Sequence, residues 1–276
     1  MRPARAILVT GCASGIGLDA ARTLHRRGWR VLATCRAPGD AERLAAEGME
    51  SFALDQADDE SVAAGAAEAL RRTGGRLDAL FANGAHALPG YVEDVPRDAL
   101  RAIFEANLFG VHDLTRRLIP ALRRSGDGRV VMCSSVLGFT AMPLRGAYVA
   151  TKFALEGLTD TLRMEMRGQP VRVVLIEPGP ITTRIRQNSI PHFERWIDVE
   201  GSARRADYAR LRDRLYGEPT RPDPGELPPA AVTRALIRAL EAPRPRARYR
   251  VTAPTRAAEA MRRLLPTRLR DRILSR

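Results

Sequence analysis

Short apolar runs alternate along the chain with longer segments in which apolar residues recur every three or four positions. The first kind is typical of buried strands, and the second of amphipathic helices. The predicted strands are 6–10, 30–35, 51–54, 77–82, 129–133, 171–177 and 248–252. The predicted helices are a first one that stops at Gly28, then 40–47, 58–72, 96–124 with an interruption near Pro120, 147–167 and 229–240.

This alternation predicts an α/β fold, a Rossmann-like doubly wound parallel sheet in three layers with helices on both faces. We expect residues 1–253 to form this single domain. Within it, residues 184–228 are rich in Arg, Asp and Pro, and we interpret them as a partly helical insertion over the cleft, a substrate loop or lid. Residues 254–276 form a basic C-terminal tail with apolar residues at helical intervals, broken at Pro266.

Composition places the chain among globular proteins with a large core. The 276 residues are 45% hydrophobic and 28% charged. No window approaches eighteen uninterrupted apolar residues, so we expect no membrane span, and Met1–Thr10 runs into a strand without a signal-peptide pattern. Cys12, Cys35 and Cys133 lie far apart, which favours reduced, packed cysteines over metal ligands. The expected localisation is cytoplasmic.

The net charge of +13 comes mostly from one end of the chain. Residues 243–276 contain eleven arginines against Glu259 and Asp271, whereas the rest of the chain is close to neutral. Solvated arginines are the first interpretation of this tail, and a weak contact with an anionic membrane surface is the second. A role in assembling an oligomer stays open. Nucleic acid is not expected, because no aromatic residues are interleaved with the basic ones.

Three glycines follow the first predicted strand. Gly11, Gly15 and Gly17 allow a tight turn and the close approach of phosphate groups to a helix N-terminus. At the end of the second strand, a dinucleotide-binding fold carries either a carboxylate for the ribose hydroxyls or an arginine for a 2′-phosphate. Arg36 stands there with no acidic residue beside it. This favours NADP(H) over NAD(H) as cofactor.

Tyr148 and Lys152 are four residues apart, so on a helix their side chains share one face. A cation one turn away lowers the pKa of a phenol and suits it to proton transfer. Lys152 is the only lysine among 45 basic residues, which indicates that this position needs a compact ammonium. Ser135 precedes Tyr148 by thirteen residues.

Together these motifs resemble the short-chain dehydrogenase/reductase family across residues 6–183. The resemblance implies a catalytic set of Ser135, Tyr148, Lys152 and Asn107. It implies cofactor contacts from Gly11, Ser14, Gly15, Ile16, Gly17, Arg36, Asp55, Asn83, Gly84, Tyr148, Lys152, Pro178, Ile181 and Thr183, and no metal. In one departure, the segment that usually reads Asn-Asn-Ala-Gly after the fourth strand reads Ala-Asn-Gly-Ala at 82–85.

The function predicted from these residues is an NADP(H)-preferring oxidoreductase that interconverts a carbonyl and a secondary alcohol, with Tyr148 as general acid and base. The alternative is a non-catalytic dinucleotide-binding regulatory protein with a basic interaction tail. Phe139, Met142 and Leu144 either line a pocket for a hydrophobic small-molecule substrate or simply pack. Phe193 and Trp196 form an apolar lid or the core of the insertion, and His86, His112 and His192 are assigned to the surface or to loops. A homo-oligomer is expected.

Overall fold

The computed structural model describes residues 4–217 and 221–275. Residues 1–3, 218–220 and 276 lie outside the described residues. The predictions that fall on them concern the start of the chain, part of the 184–228 insertion and the last residue of the tail. Seven strands form the sheet: β1 (Ala6–Val9), β2 (Arg30–Cys35), β3 (Glu50–Ala53), β4 (Ala79–Ala82), β5 (Gly128–Cys133), β6 (Val171–Glu177) and β7 (Arg248–Arg250).

The strands pair in the order β3-β2-β1-β4-β5-β6-β7, and every pairing is parallel. The predicted doubly wound parallel sheet is therefore confirmed. The strand order reverses between β1 and β4, which opens a crevice at the carboxyl ends of the strands. Ligands of open α/β sheets bind at such a switch point.

The helices are α1 (Gly15–Arg26), α2 (Pro38–Ala46), α3 (Asp59–Arg72), α4 (Arg97–Phe104), α5 (Gly110–Arg124), α6 (Gly146–Glu165), α7 (Ile185–Trp196), α8 (Tyr208–Tyr216), α9 (Ala230–Glu241), α10 (Ala253–Leu264) and α11 (Thr267–Leu274). Alternate residues of each strand face opposite layers, so Ile7 joins the cluster that includes Leu24 of α1 and Leu236 of α9. Its neighbour Leu8 joins the cluster that includes Leu118 of α5 and Leu155 of α6. One cluster lies on each face of the sheet, between the strands and the helices that cover them, so the fold has three layers.

The helical stretch predicted for 96–124 is interrupted, but not at Pro120. That proline lies exposed inside α5, and the helix continues through it. The irregularity is instead a π-helical turn at Glu105–Phe109 between α4 and α5. There the chain approaches a neighbouring loop so closely that a Cβ on Gly110 would overlap the carbonyl oxygen of Gln56. A π-turn shifts the facing of side chains by one position, which the hydrophobic pattern does not reveal.

Residues 184–228 contain α7 and α8, and their apolar side chains form a third cluster at the carboxyl end of the sheet. Phe193, Tyr208 and Leu211 of this segment are buried together with Leu88 and Tyr148 of the body. The Tyr208 hydroxyl donates to Asp94 Oδ2 at 2.7 Å and accepts from the Tyr91 backbone N–H at 3.0 Å. The segment is thereby fixed beside the crevice.

The basic tail folds as two helices separated at Pro266, where the sequence pattern breaks. Thr252 caps α10 by accepting from the Thr255 N–H, and Glu259 of α10 is buried and pairs with Arg250 of β7 at 3.2 Å. By contrast, Leu264 at the end of α10 is 79% exposed. No helix within the described ranges is both long and apolar enough to cross a membrane.

Candidate active site

The glycine turn joins β1 to α1 at the switch point of the sheet. Gly11 and Gly15 have φ of +72° and +57°, in the left-handed region that favours glycine. A Cβ on Gly11 would lie 2.7 Å from the Gly84 Cα, and one on Gly17 would overlap the Gly11 carbonyl oxygen. Because its three glycines carry no side chains and lead into a helix N-terminus, this turn fits the phosphate groups of a dinucleotide.

Two side chains lock this turn to the end of β4. Thr10 Oγ1 accepts from the backbone N–H groups of Asn83 at 3.0 Å and Gly84 at 2.9 Å. Asn83 Nδ2 donates in return to the Thr10 carbonyl oxygen at 3.0 Å. The unusual Ala-Asn-Gly-Ala segment therefore still brings a small, side-chain-poor strand end against the glycine turn.

The remaining predicted cofactor residues border the same crevice. Ser14 precedes α1, and within the described residues its side chain makes no capping hydrogen bond. Arg36 is exposed directly after β2, while Asp55 follows β3 and accepts from the Ala57 N–H at 2.9 Å. The Thr183 side chain meets Gly15 from the opposite side, since a Cβ there would lie 3.0 Å from Thr183 Cγ2.

The loop after β6 closes the site from the C-terminal side. The Pro178 carbonyl oxygen accepts from the Val136 N–H at 2.7 Å, which ties this loop to the turn that follows Ser135. Ile181 pairs with Leu227 through an isolated parallel bridge, and this pairing connects the loop to the end of the insertion. The loop is thus held between the serine turn and residues 184–228.

The structure brings Ser135, Tyr148 and Lys152 together. Ser135 follows β5 and its Oγ accepts from the Leu137 N–H at 3.1 Å. Tyr148 and Lys152 lie one turn apart on α6, with Lys152 Nζ 5.6 Å from the centre of the Tyr148 ring. Lys152 Nζ donates to the Cys133 carbonyl oxygen at 2.9 Å. This bond fixes the ammonium between the end of β5 and the tyrosine helix.

The phenol of Tyr148 is 8% exposed. Burial raises its pKa, the nearby Cys133 acts in the same direction, and the polar side chain of Ser135 lowers it. Burial also lowers the pKa of Lys152. The expected lowering of the Tyr148 pKa by Lys152 is not what this structure shows, because the desolvation of the phenol outweighs the effects that favour phenolate.

Asn107 connects the tyrosine helix to the loop after β4. It lies fully buried in the π-helical turn, and its Nδ2 donates to the His86 carbonyl oxygen at 2.9 Å and to Thr151 Oγ1 at 3.2 Å. Its Oδ1 accepts from the His86 N–H at 3.0 Å. Thr151 Oγ1 in turn donates to the Tyr148 carbonyl oxygen at 2.8 Å. Asn107 therefore positions the first turn of α6, which carries Tyr148.

Two features of the site were missed from the sequence. Thr151 relays the Asn107 contact, but a threonine between Tyr and Lys carries no signal of its own. His86 and His192 were assigned to separate surface or loop positions, whereas their rings stack with centroids 3.8 Å apart, joining the loop after β4 to α7. The contact spans 106 positions of sequence, and no local pattern predicts it.

Other polar groups carry no sign of a metal centre. No group of three His, Cys, Asp or Glu side chains within residues 4–217 and 221–275 is arranged to hold a metal ion. Cys12, Cys35 and Cys133 are all free and buried.

Comparison with known proteins agrees with this geometry. The family model described as short chain dehydrogenase matches residues 5–193. The uncharacterized oxidoreductase YbbO of Escherichia coli strain K12 is 39% identical over 271 residues, which cover 98% of this chain and 94% of that protein. Human 17-beta-hydroxysteroid dehydrogenase type 1 is 33% identical over 261 residues, covering 89% and 77% of the two chains.

Among solved structures, a short-chain dehydrogenase from Streptomyces avermitilis superposes with a TM-score of 0.77 at 28% identity, covering 94% of this chain and 92% of that one. The family match and the relatives both extend over the glycine turn and the Ser135, Tyr148 and Lys152 positions. The chain therefore belongs to the short-chain dehydrogenase/reductase family and is an NAD(P)-dependent oxidoreductase of alcohol and carbonyl groups.

Proposed function

We propose that this oxidoreductase prefers NADP(H) and interconverts a carbonyl and a secondary alcohol on an apolar substrate, with Tyr148 as general acid and base. The observation that carries the proposal is the convergence of three groups. The buried Tyr148 phenol interacts with the Ser135 hydroxyl, and the Lys152 ammonium lies beside its ring. These groups lie at the carboxyl end of β5, the second strand beyond the point where the strand order reverses.

Each of the three groups has a separate task. Ser135 donates a hydrogen bond to the substrate carbonyl oxygen, and Tyr148 gives its proton to the same oxygen. A nicotinamide cofactor held in the crevice would supply the hydride that reduces the carbonyl carbon. Lys152 stabilises the phenolate left on Tyr148 and holds the nicotinamide ribose. The phenol, whose pKa is near 10 even before burial raises it, is protonated at neutral pH and can donate the proton that reduction requires.

The proposed cofactor contacts follow the crevice from the glycine turn to the loop after β6. The glycine turn with Ser14 and Ile16 receives the pyrophosphate, Asp55 meets the adenine, and Arg36 meets the 2′-phosphate. The strand end at Asn83 and Gly84 lies under the cofactor. Pro178, Ile181 and Thr183 hold the nicotinamide carboxamide.

An apolar substrate fits the third hydrophobic cluster, because Tyr148 is one of its members. Phe193 of α7 and Leu88 of the body are buried in it, and Leu144 and Trp196 pack against its edge. Residues 184–228 accordingly act as the substrate loop and lid. Since the insertion and the catalytic helix share one apolar core, opening this lid exposes Tyr148 to an entering substrate.

The proposal is tested by replacing Tyr148 with Phe and measuring NADPH oxidation with a panel of aldehydes and ketones. Loss of the phenolic hydroxyl is expected to lower kcat by about 100-fold or more, as for a lost general acid. Tyr216→Phe is the matched control, because that hydroxyl is bonded to Glu194 on the outside of the lid. Unchanged turnover in Tyr148→Phe would contradict the assignment.

The cofactor preference is tested separately with Arg36→Ala. Its removal should weaken NADPH binding about 10-fold while leaving NADH binding nearly unchanged, since only NADPH carries the 2′-phosphate. Arg26→Ala removes an exposed arginine of α1 and serves as the control. Equal losses for the two cofactors in fluorescence titration would show that Arg36 does not select between them.

We extend the proposal to assembly and location. Phe153 and Met164 lie on one exposed face of α6, 45% and 56% exposed, and this face is proposed as the interface of a homo-oligomer. Met164→Lys should then dissociate it, as measured by light scattering. The free cysteines suit a cytoplasmic protein.

A weak contact with an anionic membrane surface is proposed through α11, where Leu269 and Ile273 are exposed among arginines. Vesicle co-sedimentation should detect it with anionic lipid and lose it in Ile273→Asp. Equal sedimentation with neutral vesicles would show that the charge of the arginines does not drive the binding.

A further inference from the structure

Three arginines from separate elements surround the substrate side of the site. Arg145 immediately precedes α6 and stands three residues before Tyr148. Arg186 lies in the first turn of α7, and Arg214 lies in the last turn of α8. Arg186 and Arg214 both pair with Asp223, at 3.4 Å and 3.0 Å. The two helices of the lid thus direct their guanidinium groups at one carboxylate.

The balance of charge in this cluster is positive. Within the described ranges the Arg145 side chain makes neither an ion pair nor a hydrogen bond. Burial lowers the pKa of Arg145, the charges of Arg214 and Arg186 lower it further, and Asp223 opposes them. Asp223 and Glu226 are the carboxylates that act on this cluster, Glu226 through Arg186, so three cations face two carboxylates and one positive charge is left over. A desolvated guanidinium without a partner is unfavourable, and an incoming anion relieves that cost.

The backbone directly before Arg145 is held in an unusual conformation. Leu144 has φ of +63°, and it is the one residue other than glycine with positive φ in the described part of the chain. Such a conformation is unfavourable for a non-glycine residue and persists only where the surroundings fix it. Here the Leu144 carbonyl oxygen accepts from the Gly90 N–H at 3.0 Å. This bond fixes the backbone of Leu144, the residue directly before Arg145.

We infer that Arg145, assisted by Arg186 and Arg214, binds a carboxylate or phosphate group at the end of the substrate remote from the reacting carbonyl. The inference rests on the proposed function and names the substrate class as carbonyl compounds with an apolar body and an anionic end. Arg145 immediately precedes the first turn of α6, which carries Tyr148, so one bound molecule can contact both residues. A guanidinium binds both anions through paired N–H groups.

The test compares matched substrates in the full-length protein with NADPH. A straight-chain ω-oxo carboxylate is compared with its methyl ester, and a third arm uses an aldehyde of equal length with a terminal phosphate. The anionic substrate is expected to have a kcat/KM at least about 10-fold above that of the ester, as for a hydrogen-bonded charge. The phosphate arm shows which anion is preferred.

The decisive readout is the ratio of acid to ester kcat/KM, because damage to the fold lowers both equally. In Arg145→Gln this ratio should fall toward one. Arg212→Gln removes the same charge from α8, but from a residue that pairs with Glu200 at 3.4 Å, and it should leave the ratio unchanged. A wild-type ratio near one, or a ratio that Arg145→Gln does not change, would overturn the inference.

A binding measurement separates this inference from the proposed function. If neither aldehyde is reduced, the proposed reaction fails, but the arginine cluster still has a readout. With NADP⁺ present, calorimetry should show nonanoate binding at least about 10-fold more tightly than nonan-1-ol, with the difference lost in Arg145→Gln. Equal binding of the acid and the alcohol to the wild-type chain would overturn the subsite whatever the reaction is.

Discussion

The stacked histidines make folding stability depend on pH in a way that the structure specifies. His86 is held by its backbone to Asn107 and its ring lies against His192 of α7. Burial lowers the pKa of His86 to about 3, and the charges of His192 and Arg36 act in the same direction. Burial, Arg36 and Arg195 also lower the pKa of His192. The folded protein therefore keeps the His86 imidazole neutral.

The sign and size of the effect follow from these values. Below an ordinary imidazole pKa near 6.5, the unfolded chain binds a proton at His86 that the folded chain does not. The free energy of unfolding therefore falls as pH falls from about 6.5 toward about 3. At pH 5, about 1.5 units below the unfolded value, the loss from this residue is roughly 2 kcal/mol, since each unit is worth ~1.36 kcal/mol.

The assay is urea unfolding at pH 7 and pH 5, with the wild type compared with His86→Phe and His112→Phe. Phenylalanine at position 86 keeps a flat ring against His192 but binds no proton, so this variant should lose about 2 kcal/mol less than the wild type between the two pH values. His112 is exposed on α5 and is the control. If His86→Phe and the wild type lose stability equally, the buried neutral pair is not the source.

Three further substitutions probe how the site is supported. Gly17→Ala places a Cβ against the Gly11 carbonyl oxygen, so it should weaken NADPH binding at least about 10-fold by fluorescence titration while Gly39→Ala, in open space, does not. Thr10→Val leaves the N–H groups of Asn83 and Gly84 without their acceptor and should cost about 2 kcal/mol in thermal unfolding; a neutral result would mean that water replaces the hydroxyl. Lys152→Arg should lower kcat by at least about 100-fold, because a guanidinium cannot replace an ammonium 2.9 Å from the Cys133 carbonyl oxygen; retained activity would show that charge alone suffices.

The sheet could be predicted because each strand is marked by its own short apolar run in the sequence. Ile7, Leu8 and Val9 form a continuous apolar run, as expected where both faces of a strand are covered, and the following glycines mark the turn. Each predicted strand overlaps an observed one, with limits that differ by a few residues. β7, for example, ends at Arg250 rather than at residue 252. The order of the strands then follows from the short, right-handed crossovers of this fold class.

The site was predictable only where its residues are close in sequence or match a family motif. Tyr148 and Lys152 form such a local pair, and the structure places them beside Ser135. The π-turn that contains Asn107 is followed by Gly110, which packs closely against Gln56, 54 positions earlier. The sequence offers no local sign of this contact, so the irregularity was predicted near Pro120, where a proline stands. Proline was tolerated because it lies on the exposed side of α5. Contacts across the insertion, such as the histidine stack, depend on tertiary structure alone.

The behaviour of Tyr148 shows why residue identity alone does not determine a pKa. From the sequence, a cation one helical turn away lowers the pKa of the phenol. In the folded chain the same turn is buried beneath α7, Lys152 is bonded to a backbone carbonyl, and desolvation raises the pKa instead. A protonated phenol facing a carbonyl is the arrangement that reduction requires, whereas oxidation requires phenolate. The rate of alcohol oxidation should therefore rise steeply with pH while that of reduction stays flat between pH 6 and 8, about two units below the ordinary phenol pKa; parallel profiles would show that Tyr148 is not the proton donor.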